Sequence, residues 1–264
     1  MQFAHQVVWV TGASSGIGEQ LAYRLAQQGA RLVLSARNAD RLAQVAAGCG
    51  GEAVARVVPL DLAAHDTLER RAAEARAAFG RIDVLVNNAG LSQRARAADT
   101  HWSVDERLVD VDYLGPVILT KALLPHWAER EQGHVVVVSS VAGRFGVPLR
   151  SGYSGAKFAL RGFFEALRAE VAGQGISVTM VYPGFVHTDL SRHALLGDGT
   201  PQGTMDAATR AGIPADVCAW RIADAIHAKR REVVIAGFRE RLAVLLQRFA
   251  PGLLARAIRT ARVT

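Results

Sequence analysis

Seven short runs, apolar at nearly every position, recur between longer amphipathic stretches. They are VVWV (7–10), RLVLSA (31–36), AVARVVPL (53–60), DVLVN (83–87), HVVVVSS (134–140), ISVTMVY (176–182) and EVVIAG (232–237). A strand with one face in water alternates apolar and polar side chains, so unbroken runs demand burial on both faces. The intervening stretches are long enough for crossover helices, and Gly29, Gly80 and Gly133 fall where helices stop or the next strand begins. This pattern predicts an α/β domain: a doubly wound parallel sheet of about seven strands with helices on both faces. Half of the 264 residues are hydrophobic, ample for such a core. Residues 1–236 read as one domain, with a long loop at 187–213, and 237–264 as a helical tail.

The first run leads directly into TGASSGIG (11–18) and then into an amphipathic helix. Gly12, Gly16 and Gly18 permit a tight strand-to-helix turn whose backbone approaches a diphosphate, with N–H donors and the positive dipole end at the helix start. The spacing, G-x-x-x-G-x-G, departs from the general G-x-G-x-x-G fingerprint, and by itself an ordinary turn would explain it. The second strand adds weight. An acidic residue roughly 20 positions beyond the glycines would hold a ribose 2′-hydroxyl, and an arginine there accommodates a 2′-phosphate. This strand ends Ser35-Ala36-Arg37, so the expected cofactor is NADP(H), with a solvated surface arginine as the plainer explanation of Arg37.

SGYSGAK (151–157) places Tyr153 and Lys157 one helical turn apart. A phenol titrates near pH 10, and a neighbouring ammonium stabilises its anion, as does a helix N-terminus near Ser151 or Gly152. A surface aromatic–lysine pair would account for the spacing alone. Ser140, however, closes the fifth run, and NNAG (87–90) and PGFVHT (183–188) close the fourth and sixth, all at strand ends where open α/β sheets place their ligands.

With these residues assembled, the chain resembles the short-chain dehydrogenase/reductase family over about 1–236, in the order TGASSGIG, NNAG, Ser140, YSGAK and PGFVHT. The resemblance implies a Rossmann-like fold and an NADP(H)-dependent enzyme interconverting CH–OH and C=O groups. It implies Tyr153 as acid–base, Lys157 lowering its pKa and binding the nicotinamide ribose, and Ser140 polarising the carbonyl. Asn87 to Gly90 would line the adenosine side, Asp61 would touch the adenine, and Thr188 would hold the carboxamide or diphosphate. The implied cofactor set is Gly12, Ser14, Ser15, Gly16, Ile17, Gly18, Arg37, Asp61, Leu62, Asn88, Ala89, Gly90, Tyr153, Lys157, Pro183, Gly184, Val186 and Thr188. One departure concerns the proton relay. Family members usually carry asparagine in an N-x-x-G pattern before the fifth strand, and here VDYLGP puts Asp112 there. If the relay uses the main-chain carbonyl, Asp112 serves equally; if it uses the amide, the pH dependence changes.

The substrate pocket is expected from 187–213, 91–104 and residues after Ser140, including Val141, Phe145, Val147 and Leu149, and so takes a hydrophobic alcohol or carbonyl compound. The alternative is a non-catalytic NADP(H)-binding regulator of the same fold. His187, Asp189 and His193 fit no standard metal spacing, and no metal is expected. His126 and His134 have ordinary structural explanations. Cys49 and Cys218 stand far apart, as in a reducing compartment. No secretory leader is read at the start of the chain, and the expected setting is cytoplasmic.

Six arginines (239, 241, 248, 256, 259 and 262) and Glu240 give the tail five of the seven formal positive charges. Its leucines recur at helical spacing, as for two short amphipathic helices. These would cover their own domain, join a partner subunit or lie on anionic membrane, the last being less favoured. A nucleic-acid role is remote, since no aromatic stacking platform accompanies the charge. The resemblance implies a homodimer or homotetramer, commonly through helices around 105–128 and 152–173.

Overall fold

The computed structural model describes residues 1–259; the tail beyond, with Arg262, lies outside the described residues. Seven strands, β1 (Val7–Thr11), β2 (Arg31–Ser35), β3 (Ala55–Val57), β4 (Val84–Asn87), β5 (Gly133–Val138), β6 (Ile176–Pro183) and β9 (Glu232–Ile235), form a parallel sheet in the order β3-β2-β1-β4-β5-β6-β9. The order reverses direction between β1 and β4, which opens a crevice at the carboxyl ends of the strands.

Both faces are covered, which is why the runs are apolar throughout. On one side α1 (Gly16–Gln27), α2 (Ala39–Gly48) and α8 (Ala215–His227) bury Leu21, Leu25, Leu42 and Ile222 against Val8, Val10 and Leu34. On the other, α3 (His65–Phe79), α5 (Gly115–Arg130) and α6 (Ser151–Glu170) bury Leu68, Leu119, Leu160 and Phe164 against Trp9, Leu85 and Val137. α4 (Trp102–Val109) packs on α6 beside the site. Alternate residues of one strand thus feed two cores.

Two regions differ from the sequence expectation, and a third, the tail, takes one of the arrangements the sequence left open. The stretch 187–213 is not a plain loop: a two-stranded parallel sheet of β7 (Val186–His187) and β8 (Ile213–Pro214) and a short α7 (Ala207–Arg210) organise it. Between α4 and α5 the chain makes a π-helical turn over Asp110–Leu114, which contains Asp112. The tail forms α9 (Phe238–Phe249) and α10 (Pro251–Ile258), which fold back on the domain and bury Leu254 with Val141, Phe145 and Ala236.

Candidate active site

The turn after β1 is built by backbone rather than side chains. Gly12 and Gly16 hold φ of +66° and +56°, which aim the chain into α1. Gly18 lies behind the turn instead of in the cleft wall; a Cβ there would stand 2.2 Å from the Gly12 carbonyl oxygen. Asn88 clamps the turn to β4, its Nδ2 donating to the Thr11 carbonyl (2.9 Å) and its N–H to Thr11 Oγ1 (3.0 Å). Asn87, read from the sequence as a cleft residue, instead turns away and donates to Thr120 Oγ1 (3.0 Å).

Ser140, Tyr153 and Lys157 all line one cleft of about 1740 Å3 that runs from this turn. Ser140 Oγ accepts from the Ala142 N–H at 3.1 Å and donates to the Pro183 carbonyl over 3.4 Å, a long contact that leaves its proton available to a better acceptor. Tyr153 sits in the first turn of α6, its ring held by Val104, Leu108 and Ala142. Gln93 Oε1 accepts the Gly152 N–H (2.9 Å), capping α6 from a neighbouring loop. Lys157 Nζ lies 5.7 Å from the Tyr153 ring centroid and donates to the Val138 carbonyl (3.4 Å).

Asp112 stands behind this group and does not reach the cleft wall. It is fully buried, its Oδ1 accepting the Leu91 N–H (2.8 Å) and lying 3.8 Å from Lys157 Nζ, while Oδ2 has no partner. Gly90 leaves the room for this, since a Cβ there would come within 2.7 Å of Asp112 Oδ1 and 3.2 Å of Lys157 Nζ. Burial pushes the Asp112 carboxyl up to about 6, against the downward pull of the Lys157 ammonium and the Leu91 N–H. A carboxyl raised in the folded state favours folding fully below its ordinary range near 4, and that contribution disappears as pH rises through about 6. Asp112→Asn should therefore gain stability relative to the parent between pH 4 and pH 7 in urea titrations. A difference that stays flat across that window contradicts a buried proton on Asp112.

At the adenosine end, Arg37 is exposed on the cleft rim just beyond β2. Ser35 is committed elsewhere, donating to the Val58 carbonyl and accepting from Trp9 Nε1 (2.8 Å). Asp61 lines the cleft with Leu62. Burial acts to raise its carboxyl, but the Ala63 N–H, Arg107 (3.1 Å) and Arg37 together hold it below the usual range. Ser14, Ser15, Gly16, Ile17, Asn88, Ala89, Gly90, Pro183, Gly184, Val186 and Thr188 line the same cleft.

A model of the short chain dehydrogenase family matches residues 6–197, the stretch carrying the glycine turn and the Ser140, Tyr153 and Lys157 group. The chain belongs to the short-chain dehydrogenase family. Dehydrogenase/reductase SDR family member 7B of Mus musculus is 42% identical over 252 residues, covering 94% of this chain and 78% of that protein. Among solved structures, a metagenomic short-chain oxidoreductase in complex with NADP is 28% identical with a TM-score of 0.73, covering 89% of this chain and 98% of that one. A short-chain dehydrogenase/reductase from Burkholderia phymatum in complex with NAD shares the fold, at 22% identity and a TM-score of 0.84 over 96% of each chain.

The substrate end of this short-chain dehydrogenase differs from the sequence expectation. Val141, Phe145 and Val147 line it, but Leu149 does not, and of 91–104 only Leu91, Ser92 and Arg94 take part. The tail was missed as a wall: Leu246, Leu254 and Ile258 close the cleft opposite Phe145. A buried ion cluster was missed as well. Arg94 Nε donates to Asp206 Oδ2 (2.9 Å), and Arg150 Nη2 lies 3.6 Å from the same oxygen. Burial, and then Arg94, lowers the Arg150 guanidinium to about 10. His193 lines the cleft, but among the described residues no three His, Cys, Asp or Glu side chains group as metal ligands. His134 is buried against Thr179 Oγ1 (2.8 Å).

Proposed function

We propose that this member of the family is an NADP(H)-dependent oxidoreductase that interconverts a carbonyl and an alcohol on a hydrophobic small molecule. The observation that carries the reading is the meeting of Ser140, Tyr153 and Lys157 in a single cleft with the glycine turn.

The cleft fits a dinucleotide. Backbone at Ser14 to Ile17 and the start of α1 offer N–H groups and a positive dipole to a diphosphate, and Thr188 stands beside Gly16. When bound, the nicotinamide supplies the hydride that is exchanged with the carbonyl carbon. Ser140 and Tyr153 donate hydrogen bonds to the substrate oxygen and meet the negative charge that grows on it. Tyr153 then gives up its proton, and the Lys157 ammonium and the N-terminal end of α6 stabilise the phenolate left behind. Asp112, when ionised, holds the Lys157 charge in place from behind. Oxidation of the alcohol reverses each step.

The cofactor preference rests on this chain's own Arg37. NADP in the metagenomic relative agrees with it, and NAD in the Burkholderia protein shows that the fold alone does not decide. Arg37→Ala should weaken NADPH binding about 10- to 100-fold, the range for a charge-assisted hydrogen bond of ~1.5–3 kcal/mol, and leave NADH binding unchanged. Fluorescence titration with both nucleotides reads this; equal losses would contradict the assignment.

The apolar wall of Phe145, Val147, Leu246, Leu254 and Ile258 supports a hydrophobic substrate. NADPH oxidation measured against aliphatic, aromatic, steroidal and long-chain ketones and aldehydes tests the whole reading. Turnover of at least one apolar carbonyl is expected. A full chain that binds NADPH yet reduces none of them overturns it. A homodimer or homotetramer assembled through α4, α5 and α6 belongs to the same proposal.

A further inference from the structure

α9 and α10 present two apolar faces, and the domain uses one. The inner face packs Ala243, Leu246, Leu254 and Ile258 on the cleft side, against Val141 and Phe145. The outer face of α9 carries Phe238, Leu242, Leu245 and Phe249, exposed by 80, 44, 55 and 75%. Their spacing of four, three and four residues makes one continuous stripe along the helix. Leu253 extends it onto α10 at 57% exposure. A contiguous apolar row of this kind marks a surface that something covers.

The charges beside the stripe decide what that is. Arg239, Arg241, Arg248, Arg256 and Arg259 are all exposed, whereas the sole carboxylate of 237–259, Glu240, lies against Gly184 and Gly237. A second copy joined symmetrically through this face would bring the same arginines together, with no carboxylate on the face to offset them. Anionic headgroups would take the arginines while the acyl boundary takes the leucines and phenylalanines. Twelve residues of α9 span ~18 Å, short of a ~30 Å hydrocarbon core, so the helix lies in the interface and does not cross it.

We infer that the outer face of α9 docks the protein on an anionic membrane surface and turns the substrate cleft toward the bilayer. Phe238 and Leu242 belong both to the stripe and to the cleft lining, so the cleft opens where the lipid would be. The docking stands on the tail itself. The corollary, that an apolar substrate reaches Tyr153 from the lipid side, rests on the function proposed above.

Flotation of the full chain with phosphatidylcholine vesicles, with and without phosphatidylglycerol, tests the docking. Binding is expected with phosphatidylglycerol, much less without it, and release at high salt. Leu245→Glu with Phe249→Glu should cut partitioning at least about tenfold. Arg241→Gln with Arg248→Gln should cut it about thirtyfold, from about fivefold per arginine near an anionic surface. None of these four side chains lines the cleft, so NADPH titration and turnover of a water-soluble carbonyl should be unchanged and report intact folding. Absent flotation, or flotation indifferent to both double variants, overturns the inference. So does an oligomer, measured by light scattering, that the stripe variant splits while vesicles go unbound, since that would assign the face to a second copy. Vesicle binding by a protein that reduces no carbonyl would sink the proposed function and leave the docking standing.

Discussion

Tyr153→Phe is expected to lower turnover by about a thousandfold, within the ~10²–10⁴ range for a positioned proton donor. Dinucleotide affinity should be unchanged. The substitution removes one oxygen and keeps the ring, which Val104, Leu108 and Ala142 hold, so neither α6 nor the cleft has reason to move. Ser140 remains to polarise the carbonyl, while Lys157 Nζ lies over the ring at position 153 and bonds the Val138 carbonyl, with no phenol left for its charge to activate. Stopped-flow or steady-state NADPH oxidation, paired with nucleotide titration, separates the two quantities. Retained turnover would remove Tyr153 as the acid–base, and a parallel loss of affinity would make its role structural.

Gly18→Ala should damage the protein in a different way. The new methyl would stand 2.2 Å from the Gly12 carbonyl oxygen and 2.7 Å from Asn88 Nδ2, and the first of these is backbone that cannot swing aside. α1 must back away from the turn, costing about 1–3 kcal/mol as overpacking does. The N–H groups that face a diphosphate move with it, and two such charge-assisted bonds lost weaken dinucleotide binding at least about a hundredfold. Gly162→Ala, on the open side of α6, is the matched control: a Cβ there meets nothing within 4 Å, and helix propensity predicts a gain of up to about 1 kcal/mol. Thermal unfolding with and without NADPH reads both variants. Full nucleotide protection of Gly18→Ala would show that the close approach carries no function.

The sequence made the sheet legible because strands buried on two faces announce themselves as uninterrupted apolar runs. Where the run overstates the strand, 53–60 against Ala55–Val57, single bonds carry the pairing past the strand's end: the Val58 N–H donates to the Leu34 carbonyl (3.0 Å) and the Leu60 N–H to the Ala36 carbonyl (3.1 Å). β7 and β8 left no trace, since two residues carry no periodicity. The π-helical turn is equally silent in composition, and the partners of Asp112 within it, the Leu91 N–H and Lys157, come from distant parts of the chain. Motif spacing brought Ser140, Tyr153 and Lys157 to one place on paper. Gln93 capping α6 and Arg94 reaching Asp206, 112 residues away, are partnerships that no local pattern encodes. The tail's amphipathic character was readable, but which of its two apolar faces turns inward depends on Phe145 and Val141 being there to receive it.

The roof of the cleft has a consequence for redesign. Because α9 and α10 are the last described segment of the chain and belong to no layer of the sheet, 238–259 could be exchanged for another helical hairpin without cutting a single strand. On the function proposed above, such grafts would change which molecules are admitted while the Ser140 hydroxyl, just beyond β5, and the Tyr153 hydroxyl, on α6, stay as they are. On that reading selectivity and reactivity are separable along the chain, the tail joining the domain through the short connection at Ala236–Gly237 and packing on Val141 and Phe145.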